Sequence, residues 1–214
     1  MRRLRRGRRR HGDHGEGYRL DHPARHQERH SPEGFTEALR EVWLAPGRFF
    51  RHLDPEGGQI RPAIFAIAIM FLNLLLGDLL QAAWLREFDP ALWRLPLLAL
   101  AASVLLGPAL VALFAGLVLF VLDGAPSKER FGPAFRSLGY VSGIGVVLWI
   151  PFAPLAAVPY AAYVAHVAVK ERLGASTKQA VASVLIPLGA LLLILLLLAG
   201  PDELWTLFIN PPQS

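Results

Sequence analysis

The stretch "WIPFAPLAAVPYAAY" (residues 149–163) decides the fold, because it places three prolines inside an apolar run over residues 135–169. As one α-helix this run would be about 50 Å long, well beyond the ~30 Å hydrocarbon core of a bilayer. Proline lacks a backbone N–H and crowds the preceding turn, so the run is expected to break. The pattern predicts two spans, over residues 135–150 and 155–169, joined by a tight turn.

Composition places the chain among membrane proteins. Of its 214 residues 53% are hydrophobic, and long Leu, Ala, Val, Ile and Phe runs carry few charges. Three further apolar stretches have the ~20 residues that a spanning helix needs, over residues 62–84, 96–122 and 179–199. Ser176, with Gln179 three residues later, predicts a capping box at the start of the last one. The expected fold is an all-α polytopic membrane bundle with five transmembrane helices.

The positive-inside rule supports the break independently, because cytoplasmic loops collect Lys and Arg. With five spans and a cytoplasmic N-terminus, nine basic residues from residue 48 onward lie inside and two outside, whereas four spans give six and five. The inside set is Arg48, Arg51, Arg61, Lys128, Arg130, Arg136, Lys170, Arg172 and Lys178, and the outside set is Arg86 and Arg94. Five spans put the C-terminus outside.

The N-terminal tail carries the basic charge. Residues 1–30 hold ten Arg and four acidic residues, a net of about +6, whereas the whole chain is +5. A polar, Gly-broken segment of this kind is expected to be disordered over residues 1–32. Anionic lipid headgroups are its expected partner. Nucleic acid is disfavoured because no aromatics interleave with the arginines, and metal binding by His22, His26 and His30 is disfavoured because Gly and Pro oppose a helix there. A purely solvated tail, or one absent from the expressed protein, stays open.

A short amphipathic helix is predicted next, within a segment over residues 33–60. Phe35, Leu39, Val42 and Trp43 recur at helical spacing, and "APG" at residues 45–47 ends the pattern. Two interpretations stay open: a helix lying in the membrane interface, and an ordinary helix packed on the bundle.

Three segments resemble the Yip family, named for interaction with Ypt/Rab GTPases. They are "EALREVWLAPGRFFRHL", "RFGPAFRSLGYVSGIGVVLWIP" and "VAVKERLGASTKQAVASVLIP". The resemblance covers residues 35–200 and implies five spans with a cytoplasmic N-terminus. It also implies a role in organising membranes or binding proteins, as in vesicle traffic. The acidic Tyr-Gly-Pro motif through which eukaryotic relatives engage Rab GTPases is absent, so Rab binding is not carried over. The Arg, Ala, Leu and Pro richness suits a bacterium of high GC content, which would place the chain in the plasma membrane.

A polar edge on the first span is the main candidate site. Asn73, Asp78 and Gln81 lie along it, and Tyr140 and His166 in later spans are possible partners. Polar side chains in hydrocarbon either bond neighbouring helices together or line a wet path for an ion or solute. The first interpretation is a structural one, and the second predicts a small transporter or channel.

Small residues predict close helix contacts. Gly139 and Gly143 form a small-xxx-small pair in the third span, and Ala112 and Gly116 form another in the second. Such pairs are expected to give a compact bundle and would permit a homo-oligomer.

Catalytic motifs are absent from the sequence. There is no H-E-x-x-H, G-x-S-x-G, P-loop or G-x-G-x-x-G pattern, and the lack of cysteine excludes disulfides and thiolate sites. We therefore expect no enzyme, no cofactor and no metal. The domains are predicted as the tail (1–32), the amphipathic segment (33–60), a five-span membrane domain (61–200) and a short outer tail (201–214). The expected function is that of a membrane-organising or interaction protein, with a transporter or channel as the alternative.

Overall fold

The computed structural model describes residues 34–54, 57–85 and 93–199, and within these ranges the chain is helical and has no β-strand. The all-α class is therefore confirmed. The predicted disordered tail and outer C-terminal tail lie outside the described residues, as do residues 55–56 and 86–92. The helices, in chain order, are α1 (Phe35–Leu44), α2 (Pro46–His52), α3 (Ile60–Leu85), α4 (Leu95–Asp123), α5 (Lys128–Val141), a 3-10 helix (Ser142–Val147), α6 (Ala153–Leu173) and α7 (Thr177–Ala199).

Three of these helices, α3, α4 and α7, are long and apolar enough to cross a bilayer. They match the predicted spans over residues 62–84, 96–122 and 179–199 to within two residues at each end. Their surfaces expose many large apolar side chains, including Leu105 on α4 and Leu192 on α7. Such a surface suits acyl chains and not water. The chain is therefore a multi-pass membrane protein.

The proline-rich run breaks near the predicted position into two helical arms, whose bounds differ from the predicted 135–150 and 155–169. The first arm is α5 continued by the 3-10 helix, and the second is α6, with a turn over residues 148–152 between them. Phe152 adopts a left-handed conformation with φ of 66° at this turn. The second arm starts at Ala153 rather than at residue 155, and Pro159 lies inside it. Among the described helices, neither α5 nor α6 is both long enough and apolar enough to count as a membrane span. The five-span count therefore stays a prediction.

Helix ends follow local sequence signals. The Ser176 backbone N–H donates to Gln179 Oε1 at 3.1 Å, and the Gln179 N–H donates to Ser176 Oγ at 3.4 Å, which is the capping box predicted for α7. Gly124 and Gly174 end α4 and α6 with positive φ values of 75° and 64°. A side chain would strain the backbone at these two ends, so glycine is the residue that fits.

The two N-terminal helices belong to the packed bundle. Val42 on α1 and Phe50 on α2 are completely buried, and α2 packs along α6. In the rest of the bundle, α3 packs on α4, α5 on α6, and α7 on both α4 and α6. Of the two interpretations of the amphipathic segment, the structure supports the helix packed on the bundle.

Candidate functional site

Trp43, at the end of α1, joins three parts of the molecule. Its indole Nε1–H donates to the Gly143 carbonyl in the 3-10 helix at 3.0 Å, and the Tyr160 hydroxyl donates to the Trp43 carbonyl. The Trp43 and Tyr160 rings also lie 5.6 Å apart. Carbonyls in 3-10 helices make poorly aligned hydrogen bonds within their own helix. The Trp43 indole therefore offers the Gly143 carbonyl a better donor. We call Trp43, Gly143 and Tyr160 the Trp43 joint; it fixes α1 to both arms of the α5–α6 hairpin.

An aromatic cluster lies directly beside the joint. The Tyr140 ring is 5.2 Å from Phe49 of α2 and 5.3 Å from Phe65 of α3, and Phe35 of α1 lies 4.9 Å from Phe65. Tilted and edge-to-face pairs at such distances contribute about 0.5–1.5 kcal/mol each beyond simple burial. Tyr140 therefore lies inside a packed aromatic core that ties α1, α2, α3 and α5 together.

The predicted polar edge lies in a different part of the molecule. Asn73 is half-buried, and its side-chain amide donates to the Ile69 carbonyl of its own helix at 2.8 Å. Asp78 and Gln81 are exposed on the distal half of α3. His166 is half-buried on α6. Among the described residues, no hydrogen bond or ion pair joins the three α3 side chains to Tyr140 or His166.

The predicted small-residue pairs differ in their surroundings. A Cβ at Gly139 would lie 2.8 Å from Pro62 Cβ, and one at Gly143 would lie 2.9 Å from the Phe65 ring. Both glycines thus permit α5 and the 3-10 helix to approach α3 closely. Ala112 is partly buried against the core. At Gly116, by contrast, a Cβ would meet no atom of the described part of the chain within 4 Å.

Sequence reasoning missed a glycine at which α4 lies directly against the backbone of α3. A Cβ at Gly107 would lie 3.3 Å from backbone atoms of Ala66 and Ile67. The signal available was the "GP" pair at residues 107–108 in the middle of a long apolar helix, where glycine is unfavourable unless packing requires it. The Trp43 joint was also missed, because no spacing rule connects residues 43, 143 and 160.

Comparison with known families gives one match. A model of the Yip1 domain matches residues 40–199, well over half of the 214-residue chain. The chain belongs to the Yip1 domain family. Comparisons with curated proteins and with solved structures found no match. The matched range begins inside α1 and ends at the last residue of α7, so it includes every residue of the Trp43 joint.

Charged residues of the Yip1 domain cluster where α4, α5 and α6 meet. Arg130 donates to Asp123 and, at 2.7 Å, to the Leu173 carbonyl. The buried Arg136 donates to the Asp54 carbonyl at 2.5 Å. Burial lowers the pKa of Arg172 below its ordinary value; Arg136 lowers it further and Asp54 opposes the shift. This end of the bundle is therefore held by arginines that bond to helix ends.

Metal chemistry finds no support in the described part of the Yip1 domain, where no group of three His, Asp or Glu side chains could hold an ion. His22, His26 and His30 fall outside the described residues. Trp43, Tyr160, Arg130 and Arg136 instead connect different elements of the bundle through hydrogen bonds.

The Trp43 joint leads to a stability prediction. Trp43→Phe keeps an aromatic ring but removes the indole donor, leaving the Gly143 carbonyl without it. We expect the free energy of unfolding to fall by about 1–3 kcal/mol. Thermal unfolding in detergent, followed by circular dichroism, measures this change. Trp84→Phe is the matched control, because Trp84 is 70% exposed. An equal effect of the two substitutions would contradict the joint.

Proposed function

We propose that this Yip1 domain protein is a membrane-organising or protein-interaction scaffold. Members of the family are membrane proteins that are not known as enzymes. The proposal therefore concerns what the bundle holds together, and not a reaction that it catalyses.

One observation carries the proposal. Four polar side chains within the described apolar helices, other than the tyrosine of the Trp43 joint, bond carbonyls of their own helix. Such bonds are made by Asn73, Ser103, Ser137 and Ser183 to Ile69, Ala99, Pro133 and Ala180. A solute path needs polar groups directed into a shared cavity. Groups that bond their own backbone support a closed and rigid bundle.

A second candidate function, a small transporter or channel, is favoured by two polar atoms. Asn73 Oδ1 and His166 Nδ1 are buried and have no hydrogen-bond partner among the described residues. Buried polar atoms without partners are uncommon and often mark a water or ligand position. They lie on separate helices, α3 and α6, and no hydrogen bond joins them in the described residues. The scaffold proposal is therefore the stronger one.

Partners and location follow as further parts of the proposal. The Arg-rich tail over residues 1–30 would bind anionic headgroups, with each basic side chain contributing roughly 1 kcal/mol near such a surface. The partner protein would be a second copy or another membrane protein. Rab GTPases are not proposed because the Tyr-Gly-Pro motif is absent. In a bacterial host the location would be the plasma membrane.

Reconstitution distinguishes the two candidate functions. We expect the purified protein in proteoliposomes to give no flux above empty vesicles across a broad panel of ions and small solutes, at acidic and neutral pH. We also expect capture in lipid nanodiscs to retain a membrane protein or a second copy of the chain. Robust flux that is lost in Asp78→Asn would overturn the scaffold proposal, because Asp78 is the acidic residue of the polar edge.

Asn73 allows a separate stability prediction. Because its amide bonds its own helix, Asn73→Leu is expected to change the free energy of unfolding by less than about 1 kcal/mol. Partner capture should be unchanged. Thermal unfolding in detergent measures the first quantity and nanodisc capture the second. A loss of several kcal/mol would contradict this prediction, because it would show that the Asn73 side chain makes an important bond outside its own helix.

A further inference from the structure

Two arginines with different surroundings lie close together at the end of the bundle where α6 stops and α7 starts. Arg136 on α5 is 7% exposed, and its Nη1 group donates to the Asp54 carbonyl at 2.5 Å. A Cβ at Gly57 would lie 3.8 Å from the same nitrogen. The segment between α2 and α3 thus covers the Arg136 guanidinium and holds it in place.

Arg172, in the last turn of α6, has a donor group without an acceptor. The residue is half-buried, and its Nε atom is buried and has no hydrogen-bond partner among the described residues. Buried donors in native proteins nearly always have an acceptor, so such an atom often marks the position of a water molecule or a ligand.

The charges around Arg172 do not balance. Burial, and then the positive charge of Arg136, lower the pKa of Arg172, and Asp54 opposes this shift. A guanidinium nevertheless keeps its proton in proteins, so two positive charges face one carboxylate, a net of +1 (2 − 1). A water molecule would accept from Nε but would not offset the repulsion between the two arginines. An anion would do both.

Other arginines at this end of the bundle have a carboxylate of their own. Arg51 lies 3.5 Å from Glu171, and Arg130 forms an ion pair with Asp123. The unmatched charge is therefore a property of Arg172 and its surroundings, and not of every basic residue nearby.

The exposed apolar surface begins about one helical turn beyond this end. Helix α7 starts at Thr177, and the side chain of Val181 is already exposed. Lys170 and Lys178 are exposed on either side of the connection between α6 and α7. Basic residues at the start of an apolar surface are expected at the level of the headgroups, and the positive-inside rule assigns this end to the cytoplasm. Lipid phosphates are therefore abundant where Arg172 lies.

We propose that Arg172 binds the phosphate group of an anionic lipid, with Arg136 as a fixed second positive charge behind it. A guanidinium binds phosphate through two parallel N–H bonds, which Nε and one Nη group provide. Basic sites between membrane helices on the cytoplasmic side suit such headgroups. This site belongs to the folded bundle, so it is separate from the Arg-rich tail and does not depend on the scaffold proposal.

Ligand-dependent stability tests the proposal, because a ligand that binds only the folded protein raises the unfolding midpoint. The full-length protein in a neutral detergent is mixed with phosphatidylglycerol, phosphatidylcholine or sodium phosphate, and thermal unfolding is followed by circular dichroism. We expect phosphatidylglycerol to raise the midpoint by at least about 3 °C, and the other two by less than about 1 °C. A tail that is disordered, as predicted, binds lipid before and after unfolding alike and leaves the midpoint unchanged.

Substitutions at Arg172 assign the effect to this site. Arg172→Gln removes the charge and the Nε donor, so it should lose at least half of the shift that phosphatidylglycerol produces. Arg172→Lys keeps the charge but not the paired donors and should give an intermediate shift. Lys170→Gln is the matched control, because it makes the same change of charge on an exposed residue in the same turn of α6. It should keep the full shift.

Four results would overturn the proposal. One is the absence of a shift with phosphatidylglycerol. Another is an equal loss in Lys170→Gln, because the attraction would then be diffuse. A sodium phosphate shift equal to that of phosphatidylglycerol would make free phosphate, and not a lipid, the ligand. A fall in the midpoint of more than about 3 °C for Arg172→Gln without added lipid would mean that Arg172 has a partner within the protein.

Discussion

Replacing Phe50 with alanine is expected to lower the free energy of unfolding by about 3–5 kcal/mol, the range for truncating a buried aromatic side chain. Phe50 is completely buried on α2, and its ring packs edge-on against Phe49 at 5.0 Å. The substitution therefore opens a cavity between α2 and the rest of the bundle. Chemical or thermal unfolding in detergent, followed by circular dichroism, gives the change.

Leu44→Ala is the control for this prediction. Leu44 also lies in the N-terminal helices but is 73% exposed, so its truncation should change the free energy of unfolding by no more than about 0.5 kcal/mol. Equal effects of the two substitutions would mean that α1 and α2 lie on the membrane surface and contribute no core.

Gly139→Ala is expected to destabilise the protein by about 1–3 kcal/mol, as overpacking of a tight contact does. The added Cβ would lie 2.8 Å from Pro62 Cβ and 3.2 Å from the Pro62 carbonyl oxygen. Pro62 is itself buried and its ring is rigid, so α3 and α5 must move apart to accommodate the methyl group. The unfolding midpoint in detergent measures the effect.

Gly116→Ala provides a control of opposite sign. No atom of the described residues lies within 4 Å of a Cβ there, so alanine should stabilise α4 by about 0.5–1 kcal/mol through helix propensity alone. If both substitutions stabilised the protein, the close approach of α5 to α3 would be incorrect. The two substitutions thus distinguish a glycine that a close helix contact requires, Gly139, from one that no contact requires, Gly116.

Hydropathy and proline chemistry were enough to predict much of the fold. The bounds of α3, α4 and α7 follow from uninterrupted apolar runs, since lipid requires about 20 such residues in a row. The break near residue 150 follows from missing N–H groups. The sequence could not show how deep the two arms lie, because apolar residues that face protein and those that face lipid look alike in composition.

The docking of α1 and α2 could not be predicted in the same way. An amphipathic pattern shows that one face of α1 must be covered, but the pattern is equally suited to lipid and to protein. The decisive contacts join Trp43 to Gly143 and Tyr160, residues about a hundred positions away. Such long-range pairs depend on the arrangement of the whole bundle and leave no local signal.

The polar edge shows the opposite difficulty. Helical spacing correctly placed Asn73, Asp78 and Gln81 on one helix, but spacing contains no information on what lies opposite them. Asp78 and Gln81 are exposed, whereas Tyr140 lies in the aromatic cluster at the other end of the bundle. The flux experiment with Asp78→Asn tests whether the polar edge of α3 has a function.

Cross-linking tests most directly the central claim that the N-terminal helices are an integral part of the membrane domain. A Cβ at Gly47 of α2 would lie 4.0 Å from Val167 Cγ1 of α6, so side chains at the two positions are in contact, which two cysteines must be before they can form a disulfide. In native membranes, the Gly47→Cys, Val167→Cys double variant should form a disulfide readily under mild oxidation. Its thiols should then no longer react with a maleimide-coupled polymer, which slows the protein on a gel once for each free thiol. The control pair, Gly34→Cys with Val167→Cys, should keep both thiols free, because no atom of the described residues lies within 4 Å of a Cβ at Gly34. Both pairs remaining free under mild oxidation would contradict the docked arrangement, whereas a disulfide in the first pair alone is the result that it predicts.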